Sequence, residues 1–267
     1  MNDVAPEVTW GNTRVWFPSR TRLAGMIGNF DELGVLDQVD QSQFRNIVNH
    51  VHPPCPKGLV HQILLHRIPS VGTSDEIWFN FFNVICKFGA REFEDITGLK
   101  FDPEFEFYPQ ASTRDIPMEE IMTYDDLQES LNEEVLSLET KFSTALFLLI
   151  EGVLLGSLRS KKYAPVTHCV TSEDLLTRPW GNIVWNQTSD FIRKFDWAAR
   201  VEKYREKNPN SSRFPNYTFE GYDMPLLKWG LRVLPECIDF ATAKTFFKSE
   251  KVRLNFFHGL RMCNYSV

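Results

Sequence analysis

The chain has 267 residues, 43% hydrophobic, 13% aromatic and 24% charged, with a formal net charge of −6. That profile excludes a disordered chain, and 14 Gly with 15 Pro exclude a collagen-like or low-complexity one. The acidic balance argues against a protein built mainly to coat phosphate backbones, while leaving room for a local basic face.

Met1 to Pro18 carries Asp3 and Glu7 and lacks the apolar run of a signal peptide. The longest apolar stretch, Ala145 to Leu158, holds Glu151 near its centre and falls short of the roughly 20 residues a membrane span requires. The five cysteines, Cys55, Cys86, Cys169, Cys237 and Cys263, show no paired spacing. They read as free thiols in a reducing, intracellular compartment.

Residues 1–22 show little periodicity and read as an irregular lead-in, with Arg14, Arg20 and Arg22 around Trp16, Phe17 and Pro18. From Leu23 to Val51 the apolar spacing predicts short helices, one over about Gln41 to His50, stopped by Pro53, Pro54 and Pro56. Leu59, Ile63, Leu64 and Leu65 predict another. Residues 76–88 are aromatic and β-branched, with Asn80 and Asn83 able to turn the chain, and predict a β-hairpin. Gly89 to Leu99 predicts an amphipathic helix buried through Phe93 and Ile96 and closed by Gly98.

Residues 115–139 hold nine carboxylates and no Lys or Arg, so the rest of the chain sums to +3. Leu127, Leu131, Val135 and Leu138 keep a stripe that predicts one helix with an acidic face. Phe142 to Leu158 predicts a central apolar helix. Thr171 or Ser172 followed by Glu173 and Asp174 marks a helix start. After the Pro179-Trp180-Gly181 break, Asn182 to about Lys207 predicts one long helix with basic later turns, then a loop at Asn208 to Ser212 and a helix from Met224 to Leu234. The reading is mainly α: a lead-in at 1–22, one helical domain with a small hairpin at 23–240, and a tail at 241–267.

Four ordered segments carry a resemblance: Gly58 to His66; Asp75 to Phe79 leading into Lys87 to Leu99; Phe147 to Leu155; and Arg178-Pro179-Trp180-Gly181. Together they resemble the plant domain of unknown function DUF1985, from about residue 40 to about 235, with Gly221 to Leu226, Trp229 and Leu234-Pro235 similar to the family's C-terminal part. The resemblance implies a plant family expanded with transposable elements, whose longer members add a SUMO-type cysteine protease domain; the chain is also distantly similar to the helical plant mobile domain. The protease's Cys-Gly nucleophile motif is missing, because the five cysteines precede Pro56, Lys87, Val170, Ile238 and Asn264. The expectation is therefore a non-catalytic domain, intracellular and nuclear, with no cofactor, small-molecule ligand or membrane partner.

Three constellations carry possible chemistry. His50, His52, Cys55, His61 and His66 are zinc-type ligands, but they match no finger spacing, and on a helix His61 and His66 fall about 140° apart. Asp125, Asp126, Glu129, Glu133 and Glu134 form either a solvated face or a surface for a basic partner. Arg193, Lys194, Arg200, Lys203, Arg205, Lys207 and Arg213, interleaved with Trp185, Trp197 and Tyr204, form either a solvated basic helix or a nucleic-acid grip by phosphate neutralisation and stacking. An unknown protein partner is favoured over nucleic acid.

Overall fold

The structure, a computed structural model, describes residues 14–49, 57–69, 75–81, 83–104, 122–156, 162–163 and 171–234. Over these residues it is mainly α, with three two-stranded sheets. Strand β1 (Val15–Trp16) leads into α1 (Pro18–Glu32), α2 (Leu36–Asp40), α3 (Arg45–Val48) and α4 (Lys57–Leu65). The hairpin β2 (Glu76–Phe81) and β3 (Val84–Gly89) runs directly into α5 (Ala90–Thr97). Beyond it come β4 (Met122–Thr123), α6 (Tyr124–Ser130), α7 (Leu138–Leu148) and β5 (Lys162–Tyr163). The final part is α8 (Ser172–Thr177), α9 (Trp180–Lys194), α10 (Trp197–Lys207), β6 (Tyr217–Thr218) and α11 (Met224–Val233).

The hairpin stands where the sequence places it. Glu76 pairs with Gly89 and Phe81 with Val84, and Asn83 takes φ 71 at the turn while its N–H donates to Asn80 Oδ1 (2.8 Å). Asn tolerates this left-handed conformation better than a branched residue would. Period-2 alternation buries Ile77, Phe79, Phe81 and Phe88 on one face, where Phe79 and Phe88 pack on Trp229 of α11. Helix α5 buries Phe93 and Ile96 and ends in Gly98 at φ 70, as expected.

The core centres on α7, where every residue from Phe142 to Leu148 is buried. A helix segment buried on every side, its Ser143 and Thr144 included, belongs inside a domain. The predicted helix through Leu158 does not continue as α: residues Leu149–Leu154 form a π-helical turn, with Leu155 N–H donating to Ile150 O (2.8 Å). Helix α1 packs along this segment, setting Phe30 edge-on to Phe142 and Arg22 Nη1 on Gly152 O (3.1 Å). Helix α1 begins at Pro18, inside the stretch read as irregular, because proline suits a helix's first turn and Phe17, Leu23, Met26 and Phe30 have core to bury in.

Two long helices expected from the sequence are each broken. Helix α6 ends at Ser130, and α7 starts afresh with Ser137 accepting from Thr140 N–H (3.1 Å). Val135 is 94% exposed and Leu138 59% exposed, so the apparent apolar stripe does not lie on one helix. The stretch 182–207 is two helices: Phe195 turns extended and Asp196 caps α10 by accepting from Ala199 N–H (3.0 Å).

The ends of the described region are tied together. Strands β1 and β6 pair in parallel, Val15 with Tyr217 and Trp16 with Thr218. Beneath them Asp223, fully buried at the start of α11, accepts from Ser19 Oγ (2.5 Å), Arg20 Nε (2.8 Å) and Arg20 Nη2 (2.5 Å). This carboxylate joins α1 to α11 across the chain.

Candidate partner-binding surface

Helix α10 buries none of its residues. It rests on the body through one aromatic seat: Trp197 meets the His61 ring edge-on at 4.6 Å, lies parallel to Phe195 at 6.4 Å and packs on Tyr217 and Phe214. His61 Nδ1 shares a hydrogen bond with the Tyr217 hydroxyl (2.9 Å), and burial lowers the His61 pKa to about 4. The Arg200 guanidinium covers this seat, 5.4 Å from the Phe195 ring and 5.5 Å from Tyr217.

Helical spacing sorts the cations. Arg200, Lys203 and Lys207 recur at i, i+3 and i+7 and share one edge of α10, while Arg205 falls on another side beside Glu202. Lys203, Arg205, Lys207 and Arg213 are exposed. Arg205 and Lys207 also occupy the last turn, where they complement the helix dipole. Arg193 and Lys194 belong to α9 instead: Arg193 donates to Ser189 Oγ (3.1 Å) and Lys194 pairs with Asp190 (2.7 Å). The seven predicted cations thus resolve into an exposed group at Lys203, Arg205, Lys207 and Arg213, one residue covering aromatics, and two engaged on the neighbouring helix.

The interleaved aromatics serve the fold. Trp185 is 2% exposed and packs on Phe88 and Phe93, each at 5.6 Å. Trp197 fills the seat just described, and the half-buried Tyr204 hydroxyl bonds Ser211 Oγ (3.3 Å). Of the predicted three, Trp185 and Trp197 have their rings packed against other aromatics.

The acidic set divides as well. Asp126 accepts from both the N–H and the hydroxyl of Thr123 (2.7 Å each), which holds its carboxyl below the usual range and closes a capping box at the start of α6. Asp125 and Glu129 share one exposed face of α6 at i, i+4, and Glu133 and Glu134 lie in the exposed turn beyond it.

Of the zinc-type residues, His50, His52 and Cys55 lie outside the described residues. His61 is committed to Tyr217, and His66 Nδ1 bonds the Asn80 carbonyl (2.9 Å). Among the described residues no group of three or more His, Cys, Asp or Glu side chains is placed to hold a metal ion. Nor is any of their helices long and apolar enough to cross a membrane. Cys86 carries a free, half-buried thiol whose pKa burial raises to about 11.

The motifs behind the family resemblance hold the architecture. Gly181 N–H donates to Lys100 O (2.8 Å), and a Cβ at Gly181 would lie 2.3 Å from the Phe101 ring. Trp180 Nε1 donates to Leu175 O (2.7 Å), and Gln43 ties the same corner by donating to Leu176 O and Arg178 O and accepting from Lys100 N–H. Glu92 closes the entry to α5 by accepting from Gly89 N–H (2.8 Å). Sequence reasoning missed Gln43 and Asp223, because nothing in their local context marks a long-range tie.

The fold and these ties define a mainly α-helical protein over the described residues. Residues 65–190, a little under half of the chain, match the family model described as "Domain of unknown function (DUF1985)", the family that the ordered segments resemble. The match is narrower than the resemblance read from the sequence, leaving Gly58 to Leu64 and Gly221 to Pro235 outside it. No curated protein and no solved structure matches the chain.

Proposed function

We propose that the chain is a non-catalytic interaction module that docks an acidic protein segment on α10 and the loop after it. The observation carrying this reading is the 11-residue helix with no buried residue, held by Trp197 and Arg200 and displaying Lys203, Arg205, Lys207 and nearby Arg213 to solvent. A helix costs conformational entropy to order and gains little from burial here, so its exposed side chains are the part left for another molecule. A protein partner fits better than single-stranded nucleic acid because the rings of Trp185 and Trp197 are packed against other aromatics. The resemblance of the four ordered segments to a plant, transposon-associated family supports reading the module as nuclear and as the non-catalytic remnant of a protease-bearing parent. The absence of catalysis is supported by the structural engagement of His61, His66 and the Arg178 to Gly181 motif.

The test is fluorescence anisotropy with labelled polyglutamate, random duplex and random single-stranded DNA over a salt series. Polyglutamate binding that weakens with salt, and by about tenfold or more in the triple variant Lys203→Glu, Lys207→Glu, Arg213→Glu, is expected. DNA binding that exceeds polyglutamate binding at matched salt would replace the protein partner with nucleic acid, and no binding at low salt would end the reading.

A further inference from the structure

Among the described residues the hairpin leaves one strand edge open. Its β2 edge is occupied: Asn80 N–H donates to His66 O (2.8 Å) and Ile68 N–H donates to Trp78 O (2.8 Å). Trp78 and Asn80 therefore aim their backbone groups away from β3. In an antiparallel pair the residues opposite do the same in the other direction, and these are Lys87 and Ile85. Two N–H and two C=O groups of Ile85 and Lys87 thus line the outer edge of β3, with no backbone bond to them outside the hairpin among the described residues. Ile85 is 60% exposed and Lys87 is exposed too.

Open edges are templates for another strand, and proteins usually blunt them with charge, bulges or cover. Here the one charge on the edge, Lys87, is neutralised across the hairpin by Glu76 at 2.7 Å. The hairpin has regular register from Glu76↔Gly89 to Phe81↔Val84, without a bulge.

We propose that this edge pairs with the same edge of a second copy, joining two hairpins into a four-stranded antiparallel sheet about a two-fold axis at Cys86. The edge is self-complementary: with Ile85 opposite the partner's Lys87 and Lys87 opposite the partner's Ile85, all four outward groups find partners at once. Cys86 points its own backbone groups inward to Phe79, so it faces its symmetry mate as a non-hydrogen-bonded pair, the closest approach two antiparallel strands make, about 4.5 Å between Cα atoms. That separation lies within disulfide reach. Each Ile85 covers the aliphatic stem of the opposite Lys87, and the two half-buried Cys86 side chains meet on the same face of the joined sheet.

The test is sedimentation equilibrium of the full chain from micromolar to submillimolar concentration, in high salt so that charge contacts by α10 are screened and the two proposals are judged separately. The expected result is a concentration-dependent rise from the 31.1 kDa monomer toward twice that mass. Ile85→Pro removes an outward donor and Ile85→Lys sets a second cation across from Lys87. Each is expected to weaken association tenfold or more while leaving the thermal midpoint within a few degrees, because Ile85 is 60% exposed and lies outside the hydrophobic core. In a variant with Cys55, Cys169, Cys237 and Cys263 replaced by Ser, mild oxidation at pH 9 is expected to give a covalent dimer that Cys86→Ser abolishes. A chain that stays monomeric throughout, or a dimer that survives both Ile85 substitutions, overturns the proposal, whatever peptide the edge accepts.

Discussion

Replacing Asp223 with Ala should test the tie between the two ends of the described region more sharply than any other single change. The carboxylate is fully buried and accepts three hydrogen bonds, one from Ser19 and two from Arg20, whose side chain is 16% exposed. Removing one partner of a buried, hydrogen-bonded ion pair costs about 3 to 5 kcal/mol, because the other charge keeps its desolvation penalty. The partial exposure of Arg20 lets water recover part of this, so we expect about 3 kcal/mol. For a chain of this size that corresponds to a fall of roughly 6 to 12 °C in the melting midpoint. Urea unfolding followed by tryptophan fluorescence measures the loss, and a double-mutant cycle with Arg20→Met isolates the pair. A loss under about 1 kcal/mol would show that Asp223 ties nothing and that α1 and α11 are held by packing alone.

Three further outcomes follow from the same geometry. Gly181→Ala drives a Cβ into the Phe101 ring and to 2.6 Å from the Lys100 carbonyl, a backbone obstacle, and should cost about 3 kcal/mol in the same unfolding assay. His61 stays neutral in the folded chain down to about pH 4, whereas the unfolded chain takes up that proton below about 6.5. Stability should therefore fall by about 3 kcal/mol between pH 6.5 and 4, and His61→Phe should flatten that part of the stability profile; an unchanged slope would refute the assignment. Asp196→Ala removes the α10 cap and should cost about 1 kcal/mol, visible as faster amide exchange confined to Trp197 through Lys203.

The elements that were legible carry their own punctuation. The 76–88 hairpin has Asn83 at its turn, α5 has Gly98 beyond its last residue, α8 has Thr171 with Asp174 three residues on, and α11 has Pro225 in its first turn. The misread elements are those where a smooth apolar spacing ran through a break made by capping chemistry. Ser137 restarts the chain between α6 and α7, and Asp196 does so between α9 and α10, although Leu138 and Trp197 keep the period going. The π-turn at Leu149–Leu154 continues the apolar run that ends α7, so periodicity gives no sign of it. For the candidate surface, the basic segment was visible as composition. Its division into exposed cations, an aromatic cover and α9 pairs depends on partners such as Tyr217 and Ser189, which only folding brings near.

The most direct measurement of the central claim is the salt-titrated anisotropy of labelled polyglutamate on the wild-type chain beside the Lys203→Glu, Lys207→Glu, Arg213→Glu variant. The account predicts wild-type binding that weakens with salt, lost in the variant while its melting midpoint stays put. Equal binding by both proteins, or none by either at low salt, would contradict it.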